Sequence, residues 1–299
     1  MTRISSRIVA AAAAAAALTG TAVGTAAADE APGKAAVAAQ KQQAQARGTL
    51  SGDAPYFSLK TIDKAGKTYF YSWDYKGKLE KRIPWLDDER DTRLATQSDL
   101  DQDGIPEGET YFLTGDGSVI LERPLEDETE RKVASGFGKY DIFLTPGNLG
   151  GGKESDLLTR DKQGVLWLHL ARPDGSFTGA KKIGGGWGQY TQITGKGDLT
   201  GDRKADIVAR DKDGVLWLYK GTGDWKKPFA ARTKIGTGWN QFNLLHGAGD
   251  TDYDGHTDLI ARDKSGALWR YKGTGKASAP FKAKEKIGAS GWNQYRLVY

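Results

Sequence analysis

The stretch Gly197–Gly223, GDLTGDRKADIVARDKDGVLWLYKGTG, decides the fold. It runs from an acidic loop (Asp198, Thr200, Asp202, Asp206) through an apolar segment and a DKDG turn to an aromatic segment. ADIVARD and VLWLYK are short and rich in β-branched and aromatic residues, and a DG turn between two such runs closes a β-hairpin. SDLLTRDKQGVLWLHL (Ser155–Leu170) and TDLIARDKSGALWRYK (Thr257–Lys272) repeat the hairpin almost residue for residue.

Outward from this stretch, the turn glycines Gly66, Gly117, Gly164, Gly214 and Gly266 are spaced by 51, 47, 50 and 52 residues. A second mark is the aromatic after the last strand of each unit: Trp85, Phe137, Trp187, Trp239 and Trp292, spaced by 52, 50, 52 and 53. Two separate features agree on five units. Further strands near KKIGGGW or TKIGTGW and near GQYTQITG bring each unit to four short strands with no helical period, the pattern of a β-propeller blade. The strands are apolar on both faces, which suits a blade packed between two neighbours. A β-solenoid competes, but its coils are shorter and it needs distinct caps. The ends favour the ring. The first unit, from Tyr56, starts at its second strand, and the carboxy-terminal segment Gln294–Tyr299 matches the missing one. We therefore expect an all-β, five-bladed propeller over residues 53–299, closed by the C-terminal strand, which removes exposed sheet edges.

Residues 1–28 read as a secretory signal peptide: Arg3 and Arg7, an apolar run from Ile8 to Leu18, then Ala26-Ala27-Ala28. The run is too short to span a bilayer, so the expectation is a secreted, extracellular protein without membrane insertion. Residues 29–52, rich in Ala and Gln, lack an apolar stripe and read as a flexible linker, with a frayed helix as the alternative. With no cysteine, disulfides and thiolate sites are excluded, and stability has to come from a large core or bound ions. The formal charge of +5 is spread among interspersed acids and loses two arginines with the leader. It gives solubility, not a nucleic-acid footprint.

The loops before the second strand carry oxygens at alternate positions. DLDQDGIPE offers Asp99, Asp101, Asp103, the Ile105 carbonyl and Glu107, with Gly104 at the turn; DTDYDGHTD offers Asp250, Asp252, Asp254, the His256 carbonyl and Asp258, with Gly255. The third loop offers Asp198, Thr200, Asp202, the Lys204 carbonyl and Asp206, with Arg203 in place of the glycine. Hard oxygens converging on one centre suit Ca²⁺, with the last acid at position nine rather than twelve. NLGGGKESD in the third unit keeps only Asn148 and Asp156 and reads as empty. The other reading is that these aspartates cap turn amides.

DxDxDGxxD before an apolar strand, at blade spacing, resembles the FG-GAP/VCBS repeats of integrin α-subunit propellers, and the Gly197–Gly223 form looks like that of secreted actinobacterial members. The resemblance covers roughly residues 54–299. It implies Ca²⁺ in the loops and a propeller used for adhesion, recognition or scaffolding. Family propellers are often seven-bladed, whereas five units are counted here.

Chemistry is sparse. The histidines are His169, His246 and His256, without a GxSxG or HExxH companion. His169 stands where sister units have tyrosine, and only His246 has no assigned role. WLDDERD and LEDETE read as charged, solvated loops. Trp187, Trp239 and Trp292, with Gln189, Gln241 and Gln294 two residues on, read either as sugar-stacking sites or as wedges between blades, the burial of so large a ring favouring wedges. Arg160, Arg210 and Arg262 read as blade-to-blade ion pairs. The expected function is a monomeric, non-catalytic binding module for an extracellular glycan or protein. The alternative is a carbohydrate-active hydrolase or lyase with acids in the central funnel.

Overall fold

The computed structural model describes residues 53–299 except 75, 106–107 and 125–129, together with five helical positions between 35 and 42. The leader and most of the linker lie outside the described residues, as does Glu107. No helix among the described residues is long and apolar enough to cross a membrane.

Five antiparallel sheets of four strands form among the described residues. Blade I begins with β1 (Leu59–Asp63), β2 (Lys67–Tyr71) and β3 (Ile83–Asp88). Blade II is β4 (Thr92–Gln97), β5 (Thr110–Thr114), β6 (Val119–Glu122) and β7 (Glu130–Ala134). Blade III is β8 (Tyr140–Gly147), β9 (Asp156–Asp161), β10 (Leu166–His169) and β11 (Lys181–Gly184). Blade IV is β12 (Tyr190–Thr194), β13 (Ile207–Asp211), β14 (Leu216–Tyr219) and β15 (Thr233–Gly236). Blade V is β16 (Phe242–Gly249), β17 (Asp258–Asp263), β18 (Leu268–Tyr271) and β19 (Glu285–Gly288), and β20 (Tyr295–Val298) returns to blade I. It pairs with β1 at Thr61–Val298, Ile62–Leu297 and Asp63–Tyr295, and Lys60 and Tyr299 exchange both backbone hydrogen bonds. The chain ends close the ring.

Asp211 shows why DKDGVLW makes a hairpin. Its Oδ1 accepts the amides of Asp213 and Val215, and its Oδ2 accepts the Trp217 indole N–H at 2.8 Å. Asp161 with Trp167 and Asp263 with Trp269 repeat the arrangement. The turn glycines then take left-handed φ, +78° at Gly214, which glycine adopts without steric cost.

The turn-glycine carbonyls of blades II to V accept the amides of Phe137, Trp187, Trp239 and Trp292, each opening a 3-10 turn into the next blade. In blade I the residue bonded to Gly66 O is Glu89. Trp85 lies four residues earlier, inside β3, stacked near Phe70 at 6.2 Å. The count of five stands, but the first aromatic mark is not equivalent to the others. WLDDERD is likewise no loop: β3 takes in its first half, the outer edge of blade I.

A buried lysine links the inner ends of three blades. Lys196, just past β12, places its Nζ 3.1 Å from Thr145 O, 3.0 Å from Thr145 Oγ1 and 3.3 Å from Thr96 Oγ1, and it also donates to Gln97 O. It thereby ties blade IV to blades II and III. Burial pulls this ammonium down to about 7. Phe57 lies 4.6 Å beneath Nζ, in an entry segment that crosses the loop end of the ring. There Asp53 O accepts from Asp198 N, Pro55 O from Asp250 N, and Ser58 O from the Gln97 amide.

Candidate metal centres and the blade junctions

Each acidic loop descends from an inner strand and returns into the second strand, so the fold sets its acids on one end of the ring. Among the described residues, three groups bring a carboxylate oxygen from each member within 4.8 Å of one another: Asp99, Asp101 and Asp103; Asp198, Asp202 and Asp206; and Asp250, Asp252 and Asp254. The backbone path is shared. Gln102, Gly201 and Tyr253 at position four, and Gly104, Arg203 and Gly255 at position six, all have positive φ. Tyr253 offsets its strain by stacking on Tyr56, centroids 4.7 Å apart. Arg203 (φ +62°) stands where glycine belongs. An Arg203→Gly variant is expected to gain about 0.5–1 kcal/mol, the αL penalty less the added freedom of the unfolded chain, read as a higher midpoint in denaturant.

The three groups differ in how far protein donors already satisfy them. In blade IV, Asp198 accepts from the amides of Thr200, Gly201 and Arg203. Asp206 accepts from Leu199 and Gly221, and Lys220 pairs with Asp202 at 3.0 Å. There the capping role is realised. In blade II, Asp99 is 4% exposed; its Oδ2 accepts the Gly104 amide, and its Oδ1 is buried with no hydrogen-bond partner. Burial, with the charges of Asp103 and Asp101, pushes its carboxyl up to about 8. In blade V, Asp252 Oδ1 is also buried without a hydrogen-bond partner. Its Oδ2 lies 2.7 Å from Lys272 Nζ and 3.1 Å from Arg270, and Lys272 also reaches Asp254 at 3.0 Å. A buried carboxylate oxygen lacking a donor is costly, and a hard divalent cation removes that cost. Asp250 in blade V also accepts the amides of Asp252, Asp254 and Gly255, and two cations already hold Asp252. The residues of blade II therefore fit a hard divalent cation best, and those of blade V come second; Arg123, at the place of Lys272, donates to Pro173 O.

The position-nine acids serve the fold. Asp156, Asp206 and Asp258 accept the amides of Ala171, Gly221 and Gly273. The same acids hold Leu149 N, Leu199 N and Thr251 Oγ1 in their own loops. This staple gives Asp156 its role in blade III; Asp206 is held in the same way within its cluster, and Asp258 lies 3.7 Å from Arg270. Ile105 N and His256 N donate to Asp103 and Asp254, Lys204 is exposed, and Thr200 Oγ1 lies 3.4 Å from Asp198.

The tryptophans pack at the blade junctions. Trp187 and Trp239 are buried at 8% and 7% exposure, packed on Tyr219 and Tyr271 of the following blade at 4.6 and 4.7 Å. Trp292 packs on Tyr71 at 4.7 Å, across the ring closure. Gln189 and Gln241 fold back onto Gly186 O and Gly238 O; Gln294 is exposed. His169 does take the place of a tyrosine, stacking on Phe137 at 5.0 Å and bonding Thr159. Burial lowers its imidazole to about 4, so it is neutral. Half-buried His246, on the inner strand β16, is held down to about 3 by desolvation and the Lys196 charge.

The arginines bind backbone rather than acids across the junctions. Arg160 reaches Trp187 O and Tyr190 O, Arg210 reaches Trp239 O and Phe242 O, and Arg262 reaches Trp292 O and Tyr295 O. Of these three, only Arg160 has an ion pair, with Asp141 of its own blade at 2.8 Å. Blades I and II place the arginine on the neighbouring strand, blade I on the matching pair of carbonyls and blade II with one carbonyl shifted by a residue. Arg296 reaches Glu89 O and Thr92 O, and Arg93 reaches Gly138 O and Tyr140 O. Sequence spacing aligned only the second-strand arginines, so the other two went unnoticed.

Residues 198–261, from the blade IV loop to β17, match the family model described as FG-GAP-like repeat. No curated protein matches the chain. Among solved structures it is similar to the BP39L lectin from Burkholderia pseudomallei, with 12% identity over 78% of this chain and 69% of that one, TM-score 0.47. It is also similar to human WBSCR16, with 11% identity over 74% of this chain, TM-score 0.35. The chain spans 65% of the WBSCR16 chain, a little under two thirds.

Proposed function

From a chain that carries FG-GAP-like repeats in a closed ring of five blades, we propose a secreted, Ca²⁺-stabilised propeller that acts as a non-catalytic binding module for an extracellular glycan or protein. The buried, unpartnered Asp99 Oδ1 carries the metal part. Asp99, Asp101 and Asp103, and then Asp250, Asp252 and Asp254, would hold the ion, which supplies charge and cross-links the loop. The binding part is supported by the likeness of blades III to V, which repeat one hairpin almost residue for residue and so offer repeated surfaces rather than a single catalytic site. Repeated blades also present their loops side by side on one face. A glycan array and a protein-capture screen test this reading, and release of shortened chains from a polysaccharide would replace it with the hydrolase or lyase alternative.

Calcium at about 100 times its dissociation constant is expected to stabilise by roughly 2.7 kcal/mol per site. At this chain length that raises Tm by about 5–10 °C. Asp99→Asn should remove most of the blade II share and Asp206→Asn should not change the calcium response. An identical melt in calcium and in EDTA would end the metal reading.

The gain should also depend on pH. In the metal-free protein Asp99 binds its proton up to about 8, against 3.8 for the unperturbed group. Between those values the folded state holds more protons than the unfolded one, so metal-free stability falls as pH rises. A bound cation favours the ionised form and reverses this term. Paired melts should show the calcium increment largest near about pH 8 and shrinking toward about pH 5.

A further inference from the structure

In blade III, Asn148, Gly150 and Gly152 stand where the blade V loop carries Asp250, Asp252 and Asp254, and Gly151 lies between them. A cavity of about 260 Å³ opens between this loop, the loops of blades II and IV and the entry segment. The side chains of Asp53, Gln102, Asn148, Arg203 and Lys204 line it, together with glycine backbone. The backbones meet closely at its wall: a Cβ on Gly151 would stand 2.4 Å from Gly223 O. Beside that contact lies Trp225, whose Cβ would be 3.5 Å from a Cβ on Gly150. Trp225 is the exposed large hydrophobic residue among those described, at 39%. Lys181 and Lys226 hold ammonium groups 5.0 and 5.6 Å from its ring centroid. Blade V has Ala277 at the matching position, so the repeat does not require an aromatic there.

We propose that this junction of blades III and IV is a binding site for an acidic saccharide, a sugar unit bearing a carboxylate. Arg203 and Lys204 against Asp53 leave the lining one positive charge in excess, and a guanidinium pairs with a carboxylate bidentately. Gln102 and Asn148 each spend part of their hydrogen-bonding capacity on the loop. Each keeps an amide hydrogen and a carbonyl lone pair for sugar hydroxyls, which themselves both donate and accept. The Asp53 carboxylate accepts a further hydroxyl. Beside the cavity, the Trp225 ring holds the Lys181 and Lys226 ammonium groups over it, and these favour a negatively charged chain. Arg203 is held at φ +62° where the sister loops use glycine. Such strain persists at positions whose side chain is used.

The site rests on the binding-module reading and names its ligand class. The test is titration calorimetry on the full chain at fixed calcium with glucuronate- and galacturonate-containing oligosaccharides, against neutral oligosaccharides of equal length and against inorganic phosphate. The acidic sugars should bind, the neutral ones at least tenfold more weakly, and phosphate alone more weakly still. Trp225→Ala and Arg203→Gly should each cost at least tenfold in affinity without lowering Tm. Arg203→Gly cannot fail by misfolding, because glycine relieves the backbone at that position. No binding of acidic sugars, equal binding of neutral sugars or phosphate, or unchanged affinity in both variants overturns the site. A neutral-glycan or protein ligand bound elsewhere would sink this site and leave the module reading intact.

Discussion

A chain truncated after Asn293 is expected to lose its stable monomeric fold. The deletion removes β20, the inner strand of blade I, and leaves the backbone of β1 without its ladder partner. It also removes Tyr295 and Tyr299, 2% and 4% exposed, which pack on Tyr71 and Phe112 at 6.3 and 6.0 Å. Each such ring contributes about 1.5–3 kcal/mol by burial. The Arg296 clasp onto blade II goes with them. Together these losses reach the scale of a whole domain's net stability, roughly 5–15 kcal/mol. An opened ring also presents β1 as an unprotected edge. Size-exclusion chromatography and a thermal melt should show association and a lost or strongly lowered transition. A synthetic Gln294–Tyr299 peptide added in excess should recover part of it, and a monomeric truncation melting with the parent would refute closure.

What could be read in the sequence was whatever recurs at fixed spacing. The DKDG hairpins, the five units and the closing strand follow from periodicity, because each blade solves the same packing problem with the same residues. Where one blade solves it differently, spacing misled. Trp85 mimicked the junction aromatic at the right interval, while the hydrogen bond to the turn glycine belongs to Glu89. The loops show the same limit. Alternate acids revealed the clusters, but a string of letters does not show that Asp206 and Asp258 turn toward strand amides, or that Lys272 lies between Asp252 and Asp254. Lys196 had no repeat to mark it, because Gln97, Pro146 and Ala248 stand at the matching positions.

The arginine clasp gives a test that only a repeat protein allows. Arg210 is 7% exposed and donates from NH1 to Trp239 O at 3.1 Å and to Phe242 O at 2.5 Å. Arg210→Leu leaves both carbonyls of the blade IV–V junction without that donor, at about 1–3 kcal/mol each, so a total loss of about 2–6 kcal/mol is expected. Blade II already carries leucine there: Leu113 matches Arg210, and Arg93 on β4 matches Thr191 on β12. Blade I does the same with Ile62 and Arg296. Adding Thr191→Arg to Arg210→Leu therefore rebuilds in blade IV the arrangement of blade I, whose Arg296 binds the matching pair of carbonyls. The double variant should regain most of the loss, while Thr191→Arg alone, placing two guanidinium groups at one pair of carbonyls, should destabilise. Chemical denaturation of the four proteins gives the coupling energy directly. Additive losses would mean that the carbonyls do not need the arginine and that its burial reflects packing alone. Recovery would show that the junction selects a charge at a place in space, whichever strand delivers it.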